Sequence, residues 1–291
     1  MKTYREALRT ESFVLSSDLP LSPTTTVADI EKALRNFAPL VSAVQVIDDR
    51  DAVGHMSPLT AASIVLRNDM DAVVHLTCRD RNRVALQADL VGAAALGVTS
   101  LILQRGEKLS KKGALRGKGV FDTSETRLTE MARRVGEESG LVSEPGFLLG
   151  ACVTVFGAGE GWQAKRIHES INAGTRLLMS QPCLNVQLLR HYMARVVAQK
   201  ITHRASFVVD VPLLGTAEEA RTYKSNNPAA LIPDATIADI AASADPRAAG
   251  IDACVRMVNE LKDVPGVAGA NIRCTTDVEA AQSAAAAVRS I

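Results

Sequence analysis

The chain is poor in aromatic side chains, with six Phe, three Tyr and one Trp in 291 residues. That argues against a stacking platform for nucleic-acid bases. Charge of one sign is also lacking. The net charge is +1 with 22% charged residues, so no field marks out nucleic acid or an anionic membrane surface as a partner. No run approaches the roughly 20 apolar residues that span a bilayer. The N-terminal MKTYREALRTES is too charged for a secretory signal. Cysteine is sparse. Cys78, Cys152, Cys183, Cys254 and Cys274 include no pair at metal-ligand spacing, and their odd number suits no disulfide framework. Scattered through apolar runs, they read as small core residues in a reducing compartment. The expectation is a cytoplasmic protein without a metal, nucleic-acid or membrane partner.

Apolar residues, by contrast, make up 47% of the chain, enough for a large core. Eight short runs rich in Val, Ile and Leu alternate with segments of helical period: Phe13–Leu19, Ala43–Ile47, Ala72–Thr77, Ser100–Gln104, Phe147–Val153, Leu177–Gln181, Ser206–Pro212 and Ala268–Arg273. Continuous apolar runs of this length fit parallel strands covered on both faces. Between them, Val27, Ile30, Leu34 and Phe37 share one helical face, as do Leu86, Leu90 and Ala94. Ser57–Pro58 reads as an N-cap with proline at the first helical position, and Gly97 as a helix end. Eight strand–helix units predict one domain, residues 1–291, folded as a (β/α)₈ (TIM) barrel. A doubly wound sheet would want a glycine fingerprint after its first strand. The one glycine cluster, Gly157–Gly161, lacks that spacing and reads as a loop.

In such a barrel the active site lies at the C-terminal strand ends. The polar residues there are Asp18, Asp48–Asp49, His75, Thr77, Arg79, Gln104–Glu107, Thr154, Ser180, Gln181, Asn271 and Arg273. This rim holds carboxylates, amides, one His and few cations. It has no zinc-spaced His/Cys set, no phosphate loop and no strand-end lysine for a Schiff base. It suits a large organic ligand with one carboxyl group moving a proton. Each residue also has a plainer reading. Asp18 can cap a loop, His75 can be a satisfied core histidine, Arg105 can be a surface ion pair, and Arg79–Arg83 can start a helix.

The wording of the segments carries more. HLTCRDRNRVALQADLVGAAALGV (His75–Val98), IDDRDAVGHMSPLTAA, LILQRGE (Leu101–Glu107), GVFDTSETRL (Gly119–Leu128), INAGTRLLMSQP (Ile171–Pro182) and IPDATIADI occur in order. Together they resemble the methylenetetrahydrofolate reductases, in particular the branch that can be fused to a homocysteine methyltransferase. The resemblance implies reduction of 5,10-methylenetetrahydrofolate to 5-methyltetrahydrofolate, or the reverse, with hydride passing from NADH or NADPH through FAD, and a place in one-carbon metabolism and methionine biosynthesis. It makes Asp18 the general acid, where the family has glutamate. It sets Glu107 in place of an aspartate near pterin and flavin, as the next catalytic candidate, and gives Gln181 the pterin. It assigns the cofactor to Asp48, His75, Thr77, Arg105, Gly106, Phe121, Asp122 and Thr154. The family's lysine at the flavin diphosphate is Ser170 here, preceded by Glu169; Lys165, Arg166 or His168, one turn earlier, would have to supply that charge. Two alternatives stand beside this reading: direct hydride transfer from the nicotinamide without FAD, and a non-catalytic folate-binding barrel. Neither the choice of NADH or NADPH nor homo-oligomer formation is encoded in a recognisable motif.

Overall fold

A computed structural model describes residues 2–48, 54–108, 117–142, 145–274 and 276–290; Asp49 lies outside them. Eight parallel strands close into a barrel in the order of the chain: β1 Val14–Asp18, β2 Ala43–Val46, β3 Ala72–Thr77, β4 Ser100–Gln104, β5 Leu148–Val153, β6 Leu177–Ser180, β7 Ser206–Pro212 and β8 Val267–Arg273. The eight expected runs are these strands, displaced by at most one residue at any end. The helices are α1 Tyr4–Thr10, α2 Val27–Phe37, α3 Pro58–Arg67, α4 Arg83–Leu96, α5 Glu125–Glu138, α6 Lys165–Ala173, α7 Val186–Ala198, α8 Ala217–Asn226, α9 Asp234–Ala242, α10 Pro246–Lys262 and α11 Val278–Arg289.

Local chemistry explains the helix ends. Thr26 and Asp29 form a reciprocal capping box at the start of α2. Ser57 accepts from the Thr60 N–H ahead of Pro58. Gly97 ends α4 in the left-handed region at φ 84°. Ile30, Leu34 and Phe37 turn inward from α2 as their spacing requires, whereas Val27, in its first turn, is 45% exposed.

The core divides in two. The larger cluster lies between the barrel wall and the helices. The smaller one fills the lower barrel, where Val14, Ala43, Val73, Ile102, Leu148, Leu177 and Val208 pack with Tyr4 of α1. Helix α1 therefore plugs the N-terminal end. Tyr4 is fully buried, and its backbone N–H donates to Asp71 Oδ2 at 2.6 Å. Thr3 and Glu6 form the capping box that starts this helix.

Candidate active site

A belt of polar side chains crosses five adjacent strands inside the barrel. Gln104 Nε2 donates to His75 Nδ1 at 3.0 Å. His75 Nε2 lies 2.6 Å from Gln45 Oε1, and Gln45 Nε2 donates to Ser16 Oγ at 3.2 Å. Ser16 Oγ donates to Asn271 Oδ1 at 3.0 Å. An amide oxygen only accepts, so this order places the His75 hydrogen on Nε2. The histidine is 1% exposed and both its ring nitrogens are engaged, as its plainer reading expects.

One turn of the strand pleat nearer the mouth, the belt ends in charge. Asn271 Nδ2 donates to Asp18 Oδ1 at 2.8 Å and to Asp210 Oδ1 at 2.9 Å. The Arg273 guanidinium binds Asp210 Oδ2 through Nε and Nη2, and its Nη1 lies 3.6 Å from Asp18 Oδ2. Asp18, Asp210 and Arg273 are all buried. Burial alone would lower the Arg273 pKa, but Asp210 and Asp18 outweigh it and hold the guanidinium more firmly charged than usual. Asp18, expected from the sequence, thus belongs to a four-residue centre. Asp210 escapes sequence reading because it lies inside a strand run and not at its end. A signal for it exists all the same: a carboxylate within SFVVDVP is costly to bury unless paired.

Over this centre the mouth opens into two lobes of about 650 and about 410 Å³. Both are lined by Ile47, Asp48, Asn227 and Arg273. The larger reaches Asp18, His55 and Glu218, Glu219 and Tyr223 of α8. The smaller reaches His75, Thr77, Arg105, Gly106, Glu107, Thr154 and Gln181, all sequence candidates, together with Asp210. It also reaches Glu125, which is no candidate from sequence; burial raises its carboxyl above the usual range against the opposing Arg105 N–H.

Protein partners already hold many of the candidates. Asp48 accepts from the Thr77 N–H and hydroxyl at 3.1 and 2.9 Å and from both terminal nitrogens of Arg81 at 2.7 and 3.0 Å. Burial would raise its pKa, but Arg81 and Thr77 outweigh that and lower it. Gln181 uses both ends of its amide on Val155, accepting from N–H at 2.8 Å and donating to the carbonyl at 2.9 Å. Arg105 lies 4.6 Å above the Phe121 ring. Phe121 has φ +46° and donates its N–H to the Cys78 carbonyl at 3.1 Å. Gly106 has φ +79°, and a Cβ there would come within 2.9 Å of Arg79 Cβ, so a side chain would meet both strain and collision.

The flavin set fits only in part. Thr77, Arg105, Gly106 and Thr154 line the smaller lobe, on the side the resemblance gives to the flavin. Arg105 brings its expected charge to that lobe, whereas the charge expected of α6 lies elsewhere. Asp122 binds Arg83 N–H and Nε at 3.0 and 2.9 Å. Lys165, Arg166 and His168 of α6 line neither lobe, and Ser170 Oγ is 2.7 Å from Thr175 Oγ1. The described residues thus bring part of the expected flavin set to one lobe. Among them no group of three or more His, Cys, Asp and Glu could hold a metal ion, and no helix is long and apolar enough to cross a membrane.

Comparison with known proteins adds to this geometry. No curated protein matches the chain. Among solved structures it is similar to an uncharacterized protein from Clostridium thermocellum that binds two copies of 5-methyl-5,6,7,8-tetrahydrofolic acid, at TM-score 0.67 and 13% identity over 97% of this chain and 96% of that one. It is also similar to an EDTA monooxygenase from Chelativorans sp. BNC1, at TM-score 0.55 and 11% identity over 95% and 92% of the two chains. At such identities the likeness is one of fold. The family model of methylenetetrahydrofolate reductase, however, matches residues 25–273, most of the chain and seven of the eight strands. The protein belongs to the methylenetetrahydrofolate reductase family.

Proposed function

We propose that this chain interconverts 5,10-methylenetetrahydrofolate and 5-methyltetrahydrofolate, with NADH or NADPH as the source of hydride. The observation that carries the reading is the position of Asp18. It closes β1 at the catalytic end of the barrel and borders the larger lobe, in a chain of this family. The C. thermocellum protein of similar fold, which binds 5-methyl-5,6,7,8-tetrahydrofolic acid, lends support to a folate ligand.

The chemistry asks for one proton and one hydride. The five-membered ring of the methylene compound opens when its departing nitrogen is protonated, leaving an iminium at the methylene carbon. A protonated Asp18 supplies that proton. Hydride from the dihydronicotinamide then converts the iminium carbon to methyl, and the nicotinamide leaves oxidised. Asn271 and Arg273 hold the Asp18 carboxyl in place, and the two lobes give the folate and the hydride donor adjoining room. Glu107 and Gln181, on the wall of the smaller lobe, face the pterin.

A flavoprotein reading keeps support from Thr77, Arg105, Gly106 and Thr154, which line the smaller lobe. One preparation tests both. The purified protein is given 5,10-methylenetetrahydrofolate with NADH or NADPH, and 5-methyltetrahydrofolate is quantified by chromatography. The visible spectrum is recorded with and without added FAD. Turnover without flavin absorbance supports direct transfer, and turnover that requires FAD supports the flavoprotein. Tight folate binding with no turnover under either condition overturns the enzyme in favour of a folate-binding barrel.

A further inference from the structure

We propose that the N-terminal end of the barrel carries a second ligand site, which takes a small molecule by a pyrophosphate group, as a nucleoside diphosphate would present. The site is a cavity of about 520 Å³ between α1, α5 and the starts of β5, β6 and β7. It lies at the opposite end of the strands from Asp18 and Arg273 and shares no lining residue with the two lobes there. Its wall brings together Arg5 and Arg9 of α1, Arg133 of α5, Arg176 ahead of β6, and His203 and Arg204 ahead of β7. Among the described residues the one acid on that wall is Glu137, which pairs with Arg133 at 2.6 Å. Glu144 lies outside the described residues, and one more acid would still leave arginine in excess. Leu8 and Phe147 give the wall an apolar part.

What separates this wall from an ordinary charged surface is how the guanidinium groups are held. Arg5 Nη2 donates to the Gly146 carbonyl at 2.6 Å. Arg176 Nη1 donates to the carbonyls of Ile171 and Thr175 at 2.9 and 2.7 Å. Arg204 Nη2 donates to Asn172 Oδ1 at 2.8 Å. These acceptors are neutral, so they fix each side chain without cancelling its charge. A guanidinium has five N–H donors, and most of them remain for a ligand. Gly174 has φ +132°, and a Cβ there would stand 3.2 Å from Arg133 Cδ, so the glycine makes room for that arginine stem. Arg5 and Arg9 stand one turn apart on the same face of α1, where like charges repel. Burial, and then Arg9, lower the Arg5 pKa; an anion bound here would relieve that repulsion. The planar fork of arginine matches phosphate oxygens in pairs. Several arginines converging from separate elements call for a group with several negative charges close together, which pyrophosphate has.

The test is a titration of the full-length protein with inorganic pyrophosphate at constant pH and ionic strength. Calorimetry gives the affinity, and the amide resonances of Gly146, Gly174 and Ala205 in ¹H–¹⁵N spectra report where the anion sits. Those amides should shift as pyrophosphate binds, and citrate should bind roughly tenfold more weakly or worse. Arg9→Gln and Arg204→Gln, both at exposed positions, should each weaken pyrophosphate by roughly tenfold, as the loss of one charge-assisted contact predicts. Two such variants keep the test open should one fold poorly. Arg134→Gln, on α5 but lining a different groove, removes the same charge and should leave the affinity within about twofold. Arg105→Ala, at the other end of the barrel, should leave the shifts of the three amides unchanged. The proposal is overturned if these amides stay still at several millimolar pyrophosphate, or if Arg134→Gln weakens binding as much as Arg9→Gln. It is also overturned if citrate binds as tightly as pyrophosphate, or if the shifts vanish in Arg105→Ala. None of these outcomes depends on folate turnover.

Discussion

Each end of this barrel buries carboxylate, and the two ends treat it oppositely. At the N-terminal end Asp71 is 1% exposed and accepts from the Tyr4 N–H, the Ala72 N–H and the Thr99 hydroxyl. Those donors are neutral, so burial dominates and pushes its pKa up to about 6. At the C-terminal end Asp18 and Asp210 share Arg273 and Asn271, so their donors include a charged guanidinium. The lower carboxyl anchors a plug and is expressed as stability. The upper pair stands at the wall of an open cavity, where charge and protons can act on a ligand. Damage at one end should therefore spare the property governed by the other.

The largest expected effect tests the upper end. Asp18→Asn keeps the shape and the contact with Asn271 but cannot deliver a proton, so folate turnover should fall by roughly 10²–10⁴. The urea midpoint of unfolding should change little. Turnover within tenfold of wild type would move the acid elsewhere, with Glu107 next in line.

Next is the lower end. Tyr4→Ala empties a fully buried aromatic site beneath the barrel and should cost about 3–5 kcal/mol in urea unfolding. The folate KM, measured well below the unfolding transition, should stay within twofold. A tenfold change in KM would mean that the two ends are coupled.

The third prediction uses the sign of the Asp71 perturbation. Its folded pKa, about 6, lies above the ordinary 3.8. The folded state therefore binds more protons in that interval, and stability falls as pH rises through it. Relative to Asp71→Asn, the wild-type protein should lose about 1–3 kcal/mol between pH 4 and 6 and level off above. Asp48, whose pKa is lowered, acts in the opposite sense below about pH 4 and is common to both proteins, so it cancels in the difference. A flat difference across the window would show that Asp71 does not titrate there.

The smallest effect concerns Gln181. Its amide closes two hydrogen bonds with Val155, each worth about 0.5–1.5 kcal/mol. Gln181→Ala should raise the folate KM roughly fivefold, with hydride transfer from bound substrate nearly unchanged in single-turnover experiments. A larger loss in the transfer step than in binding would give Gln181 a part in the chemistry.

How far the sequence can be read follows from where each residue sits. The apolar runs are legible because parallel strands covered on both faces contain little else. The helix ends at Ser57 and Gly97 are legible because a cap is satisfied within a few residues of itself. Asp18, His75, Arg105 and Gln181 are legible as strand-end residues, and the cavity gathers them. Asp210, Gln45 and Glu125 are not. The first two are polar residues within apolar strands, and the third reads as an ordinary first-turn helix acid. Helix α1 is equally hard to see, although Thr3 and Glu6 carry the capping-box pattern, because a seven-residue helix gives too little periodicity.

The sequence by itself determined the strand–helix alternation, the barrel it closes into, the end that carries the polar rim and the resemblance of its segments to one family. These depend on short-range periodicity and on residues a few positions apart. Only the tertiary structure decided which charges meet. Asp18 and Asn271 are 253 residues apart in the chain, and Asp210 and Arg273 are 63 apart. Barrel closure brings β1, β8 and β7 side by side. The physical reason is that pairing energy depends on distance and burial in space, and neither is written in sequence separation.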